Sequence, residues 1–271
     1  MLIHAVDDGP ARMDGEVVAV FHAHPDDEAF ATAAATTGLT AAGAQVRLWV
    51  ATGGELPEQS AAPHLDEEGA RRKRAKRLDR SCQLLGIGRW AYLTEPGEWA
   101  DSTDQARVLA SAPTATVAAA VRRVINRWRP QIVLTVGPDG LTGHPDHVAM
   151  HDAVVAALEL PGWKPRYAWG AVLLDTDVAA AGDAIDDRCD DGYRSGRVAT
   201  VVGVPRSAVG QTIESPGSAI ARQQALDVYQ AGLGTLPLAD LIERHGPGGS
   251  ALRLRALFDV AGWESDHFVA L

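Results

Sequence analysis

The sequence predicts a single α/β domain: a Rossmann-like, mostly parallel sheet with helices on both faces. Three observations lead there. Short, β-branched apolar runs alternate along the chain with longer helical patterns. No repeat or low-complexity tract interrupts the alternation. The 271 residues, 46% hydrophobic and 22% charged, suffice for one sizeable core at ordinary globular composition.

The elements follow in order. Residues 16–21 (EVVAVF) read as a buried strand, and the Ala- and Thr-rich residues 29–42 as a helix ending near Gly43. Residues 45–51 (QVRLWVA) are the second strand. Residues 66–85 are a strong helix: Asp66, Glu67 and Glu68 open it, Arg and Lys follow, and Gly86 ends it. Residues 90–93 form a short third strand. Residues 105–128 are mostly helical, with Pro113 as an internal break. Residues 131–136 (QIVLTV) are the fourth strand, and 146–158 the next helix. Residues 169–174 and 199–204 are later strands, and 216–230 a late helix. The Asp-, Ala- and Gly-rich residues 175–195 read as a surface loop. Residues 246–250 (GPGGS) read as a flexible link before a short C-terminal element. Strands separated by helices of this length are βαβ units, which demand a mainly parallel sheet covered on both sides.

Composition removes several function classes. The formal charge is −10, against a nucleic-acid or anionic-membrane partner. The basic run at residues 71–77 (RRKRAKR) is a solvated helix face behind an acidic N-terminus. No apolar run is long enough to span a bilayer, and the first residues carry no secretory pattern, so a cytoplasmic protein is expected. Arg strongly outnumbers Lys, and Ala, Val and Gly are abundant, as in GC-rich bacterial coding sequences. The two cysteines, Cys82 and Cys189, form neither a CxxC pair nor a disulfide framework, so any metal site must use His and carboxylates.

The first strand runs into His22-Ala23-His24-Pro25-Asp26-Asp27-Glu28. A dinucleotide fold would place phosphate-cradling glycines here. Histidine and acids stand instead, which exchanges phosphate binding for metal binding. His24 and Asp27 are three apart at a strand-to-helix passage, so an imidazole and a carboxylate can converge on one ion, while Asp26 and Glu28 point elsewhere. After the fourth strand comes a second cluster, from Gly137 to His144-Pro145-Asp146-His147. If these two strands flank the reversal of strand order, the two loops face each other. His24, Asp27 and His147 then give two nitrogens and an oxygen to one divalent ion and leave a position open, as in catalytic zinc sites; Fe2+, Mn2+ and Co2+ also suit these donors. Asp26, beside the ion but not needed to hold it, can act as general base. His144 can stabilise an oxyanion or protonate a leaving amine, and Asp146 can orient one of these imidazoles or raise its pKa. His151, one turn past His147, reads as a helix-face histidine rather than a ligand, and His22 as a buried, satisfied one. Thr52-Gly53-Gly54-Glu55 ends the second strand at the same sheet edge and lines the pocket, with Glu55 a substrate contact. Trp99 and Trp163 lie in loops, where indole rings can stack on a sugar or aglycone.

A-H-P-D-D-E after the first strand with a later H-P-D-H resembles the LmbE-like/PIG-L superfamily of zinc-dependent N-acetylglucosaminyl de-N-acetylases. The resemblance covers the chain to about residue 175. It implies an LmbE-like domain with the metal core in residues 16–160 and a more variable substrate rim in 161–271. By resemblance His24, Asp27 and His147 bind zinc, Asp26 is the general base, and His144 is the catalytic histidine, supported by Asp146. The family hydrolyses the acetamide of N-acetylglucosaminyl conjugates, among them glycosylphosphatidylinositol and mycothiol precursors and N-acylated antibiotic glycosides. Two positions depart from its pattern. Arg74 matches a family Arg, but Arg77 stands where members often carry Glu. Tyr229 stands where many carry the His of an Ala-Leu-x-x-His motif. Both belong to the rim, with Arg74 and Tyr229 as substrate contacts. The expected substrate is a small glycoconjugate, a thiol-cofactor precursor or an antibiotic glycoside, with the departures tilting toward the latter. The rivals are an amidase for a larger acyl group or thiol-conjugate amide, and a non-catalytic sugar-binding module.

Overall fold

A computed structural model describes residues 12–56, 64–101, 106–189 and 203–271. The β-branched runs form the strands their composition favours: β1 (Val17–His22), β2 (Gln45–Val50), β3 (Arg89–Tyr92), β4 (Ile132–Val136) and β5 (Tyr167–Val172). These five pair in parallel in the order β3-β2-β1-β4-β5. Two further strands, β6 (Gln211–Glu214) and β7 (Ser265–Ala270), extend the sheet antiparallel, with β7 between β5 and β6.

Alternation along β1 assigns the two faces. Val18 and Val20 point into one core, under α1 (Asp27–Ala31), α2 (Ala33–Ala41), α3 (Glu67–Leu85) and α8 (Ser218–Tyr229). Ala19 and Phe21 point into the other, against α4 (Thr114–Trp128) and α6 (Pro145–Glu159), where Val121, Ile125, Met150 and Val154 are all buried. Each such side chain contributes roughly 1.5–3 kcal/mol of burial. Asp66 caps α3 by accepting from Gly69 N at 2.7 Å, and Gly86 ends it in the left-handed region.

Several expectations need correction. The helix expected over 29–42 is two helices broken at Thr32, whose hydroxyl lies 3.0 Å from His22 Nε2 inside the core. The helical stretch expected from 105 is a single 3-10 turn, Leu109–Ser111, followed by α4; Gln105 lies outside the described residues. The loop expected over 175–195 begins with a helix, α7 (Asp175–Asp186). Ala181 and Ile185 are buried on its inner face, and it packs on α10 (Ser250–Ala261). Its Asp content, with Asp175 and Asp183 exposed, hid the stripe. Residues 190–195 lie outside the described residues, as do 199–202 of the strand expected over 199–204; Val204 makes one parallel bridge with Leu174. The short element expected after the GPGGS link is larger, consisting of α10 and β7, and a further helix, α9 (Leu238–His245), precedes the link.

The order places the reversal between β1 and β4. Chain leaving β1 turns onto one face as α1, and chain leaving β4 passes through the short α5 (Gly140–Gly143) and turns onto the other as α6. A crevice opens where they part, at the C-terminal ends of the strands. No helix among the described residues is long and apolar enough to cross a membrane.

Candidate metal centre

The β1 loop and the β4 loop meet in this crevice. His147 Nε2 lies 3.1 Å from His24 Nδ1 and 3.0 Å from Asp27 Oδ1, and His24 Nδ1 lies 4.0 Å from Asp27 Oδ2. All three residues are buried. The second atom of each group is already engaged. His147 Nδ1 is 2.9 Å from Gly140 O, a pure acceptor, so Nδ1 carries the proton. His24 Nε2 is 3.1 Å from Asp146 Oδ2, so it too carries a proton. Asp27 Oδ2 accepts from the backbone N–H groups of Ala23 and His24 at 3.1 and 2.9 Å. Two imidazole lone pairs and a carboxylate oxygen therefore face one point. Neutral imidazoles in these tautomers repel at 3.1 Å; a cation or a proton between them removes the conflict. The cluster is thus capable of coordinating a metal.

The electrostatics agree. Burial alone would lower His24, but the Asp146 hydrogen bond and the charges of Asp27, Asp101 and Asp146 outweigh it and raise it to about 9. His147 is raised in the same sense, its burial overcome by Asp27. Asp27 itself, though burial pushes it up, is held well below the usual carboxylate range by His147 and His24. The pocket favours positive charge at its centre.

His144 also brings a ring nitrogen within 4.8 Å of His24 and His147. Its lone pair is spent elsewhere: as the N-cap of α6, Nδ1 accepts from Asp146 N at 3.2 Å. The proton then sits on Nε2, which suits a donor rather than a ligand. Burial, helped by the charges of His24 and His147, lowers His144 to about 4, so its imidazole is neutral near pH 7. Asp146 reaches His144 through its main chain; its carboxylate serves His24 and accepts from Ala110 N at 2.8 Å. His151 Nδ1 is 2.9 Å from Val136 O, which places this histidine on the β4 backbone.

Asp26 lies at the N-cap of α1 with φ 116°, a left-handed conformation unfavourable for a residue with a Cβ. Its carboxylate accepts from Arg74 Nη2 at 2.9 Å, and the same guanidinium donates to Pro25 O. Burial pushes the Asp26 carboxyl up, and the opposing charge of Arg74 leaves it raised. Gly54, at φ 63°, lets Arg74 pass: a Cβ there would fall 2.2 Å from Arg74 Nε. These groups line one cavity of about 340 Å³, with His24, Asp26, His144 and His147 on one side and Phe30, Leu141, Leu233 and Leu254 on another.

The three expected substrate contacts, Glu55, Arg74 and Tyr229, have partners of their own within the protein. Glu55 is fully buried; it accepts from Gly53 N at 3.0 Å and Asp101 N at 3.0 Å and so ties two loops together. Arg74 lines the cavity but is committed to Asp26 and Pro25. Tyr229 lines the cavity, and its hydroxyl donates to Glu28 Oε1 at 2.7 Å. Trp99 is buried, and Trp163 is anchored through Nε1 to Pro130 O. Sequence reasoning missed Asp101, which reaches His24 and Asp146 to within 4.8 Å, and the structural weight of Glu28. Asp101 has no local signature. Glu28 had one, its place two residues after Asp26, whose N–H it accepts at 3.0 Å.

Comparison with known proteins places these observations in a lineage. A family model described as PIG-L, GlcNAc-PI de-N-acetylase, matches residues 19–158. A 1D-myo-inositol 2-acetamido-2-deoxy-alpha-D-glucopyranoside deacetylase of Kineococcus radiotolerans is 39% identical over 170 residues, 56% of this chain and 47% of that protein. The chain thus spans about half the length of this curated relative. The enzyme of the same name in Rhodococcus jostii is 30% identical over 236 residues, 77% of this chain and 78% of that one. Among solved structures, the zinc-inhibited form of teicoplanin deacetylase Orf2 superposes with a TM-score of 0.59 at 19% identity, over 94% of this chain and 98% of that one. N,N'-diacetylchitobiose deacetylase from Pyrococcus horikoshii does so at 0.56 and 15% identity, over 94% and 84%. These two likenesses concern the fold. On the family match and the Rhodococcus relative, the chain belongs to the PIG-L, or GlcNAc-PI de-N-acetylase, family.

Proposed function

We propose that this protein is a zinc-dependent hydrolase that removes the N-acetyl group from a glucosamine unit of a small glycoconjugate. The observation that carries the reading is the meeting of His24 Nδ1, His147 Nε2 and Asp27 Oδ1, with the Asp26 carboxylate lining the same cavity. These three residues would hold the ion, and Asp146 and Gly140 would fix the two imidazoles in the ligating tautomer. A zinc ion held there supplies Lewis acidity, polarising an amide carbonyl and acidifying water. Asp26, with its raised pKa, takes the proton of the attacking water and returns it to the glucosamine nitrogen as the C–N bond breaks, releasing amine and acetate. His144, neutral and protonated on Nε2, donates to the oxygen on which negative charge develops. Arg74 keeps the Asp26 carboxylate aimed into the cavity.

The sequence relatives are named for an inositol glycoside of N-acetylglucosamine, and this shifts the weight from the antibiotic glycoside to that mycothiol-type substrate. A cytoplasmic location is part of the same reading, as is a partner set without nucleic acid, supported by the net charge of −10. The apolar wall of Phe30, Leu141, Leu233 and Leu254 favours one variation, hydrolysis of a longer acyl amide. The test is a panel of zinc-loaded assays: the inositol glycoside, N,N'-diacetylchitobiose, a glycopeptide pseudoaglycone bearing N-acetylglucosamine, and N-octanoylglucosamine. Released amine is expected from at least one, and Asp26→Asn should abolish turnover while zinc stays bound. No release from any of them by zinc-containing protein would overturn the hydrolase reading and favour a sugar-binding module.

A further inference from the structure

We infer that Tyr229 is a positioning residue: through Glu28, its hydroxyl fixes the left-handed Asp26 backbone that aims the general-base carboxylate. The inference rests on the reading of Asp26 as general base.

Asp26, at φ 116°, sits where only surrounding structure can keep a residue with a Cβ. Two arms do this. One is Arg74, which bridges Asp26 Oδ2 and Pro25 O and so restrains the side chain. The other is Glu28, whose Oε2 accepts the Asp26 N–H at 3.0 Å and so restrains the main chain. A carboxylate held by one oxygen can swing about its last torsion. Glu28 cannot, because its Oε1 accepts from Tyr229 Oη at 2.7 Å and from Ser81 Oγ. Ser81 comes from α3, the helix that also carries Arg74; Tyr229 comes from the last turn of α8. Glu28 is fully buried, so no water competes for these bonds.

Tyr229 touches both arms. Its hydroxyl holds Glu28, and the Arg74 guanidinium lies 5.8 Å from its ring centroid. The residue is 7% exposed and lines the cavity, and its hydroxyl proton is spent on Glu28. A phenol has one proton to donate, and Tyr229 gives it to Glu28 rather than to a ligand. Tyr229 thus connects a helix some two hundred positions from Asp26 to the backbone angle at Asp26.

The test uses the full, zinc-loaded chain and the panel substrate turned over fastest. Tyr229→Phe should lower kcat roughly ten-fold, the lower end of what loss of an orienting partner costs. KM and zinc content should stay unchanged, since neither a substrate contact nor a ligand is lost. Glu28→Gln should lower kcat as well, and adding Tyr229→Phe to it should cost little more, because both act through one chain of bonds. If Tyr229→Phe melts at the assay temperature, Ser81→Ala removes the other donor to the same oxygen and carries the test. An unchanged kcat, a risen KM with kcat intact, or additive losses in the double variant would overturn the inference. If Asp26→Asn keeps full activity, the general-base reading itself fails; if it collapses while Tyr229→Phe is normal, only the inference does.

Discussion

Asp146→Asn should weaken zinc binding without touching a ligand. In the wild type Asp146 is buried, and both its oxygens accept: Oδ1 from Ala110 N at 2.8 Å, Oδ2 from His24 Nε2 at 3.1 Å. An asparagine offers one oxygen and one NH2. If its oxygen stays with Ala110, the NH2 faces the His24 Nε2–H, donor to donor. His24 then gains by moving its proton to Nδ1, the nitrogen that faces His147 Nε2 and Asp27. An ion on Nδ1 forces the remaining proton back onto Nε2, against that NH2, so the zinc-bound state is penalised in the variant alone. Loss of an orienting partner of this kind costs about 10- to 100-fold in metal affinity, or roughly 1.4–2.7 kcal/mol. Competition of the apo-protein against a chromophoric chelator at fixed pH measures it. At a fixed zinc excess, the variant should also lose about 1.4 kcal/mol of zinc-induced stabilisation for each factor of ten in Kd. A zinc affinity within three-fold of wild type, with apo stability unchanged, would refute the tautomer argument.

Two further predictions concern buried charge. Arg222 is fully buried and pairs with Asp266, which also accepts Ala35 N at 2.8 Å, so Arg222→Met should cost about 3–5 kcal/mol in urea melts and the added Asp266→Asn should recover part of it. Burial already raises Asp266, and without Arg222 it rises further; the cost of Arg222→Met should grow as pH rises, and a single-variant cost under about 1 kcal/mol would contradict the pairing. His22 is held neutral by burial, which lowers it to about 4. A histidine so depressed gives its full stability above its free value of 6.5 and loses it as pH falls toward 4. The His22 contribution to apo-protein stability should therefore fall by about 2 kcal/mol between roughly pH 7 and pH 5, read as the difference in pH dependence between wild type and His22→Gln in denaturant titrations.

The parallel half of the fold was legible because buried strands must be apolar along their length and helices must be capped. Residues 45–51 and 131–136 announced themselves by β-branching, and Asp66 and Gly86 bracketed α3 as their cap chemistry requires. The antiparallel edge was not legible. β6 and β7 are short, half-buried and polar on one face, so their sequence resembles loop until the partner strand is known. α7 was missed because its aspartates and glycine outweighed the short inner stripe of Ala181 and Ile185. At the site, His24, Asp27 and His147 stood out because histidines and acids replaced glycines at two strand ends, and the crossing order of β1 and β4 brought them together. The partners that hold them were harder to read. Asp101 arrives from the loop after β3, and Tyr229 from α8, each by a packing decision made far from the motif.

The place of β7 has a consequence for synthesis. Gln211 to Glu214 finds its hydrogen-bonding partner only in Ser265 to Phe268, more than fifty positions downstream. On the ribosome, the five parallel strands can assemble as they emerge, but β6 must wait, its edge unsatisfied, until the later segment slots between it and β5. That interval is when an exposed β5 edge is open to pairing with another nascent chain. Faster elongation after residue 214, or a chaperone that shields the edge, should raise the soluble yield of this protein more than stabilising its parallel half would.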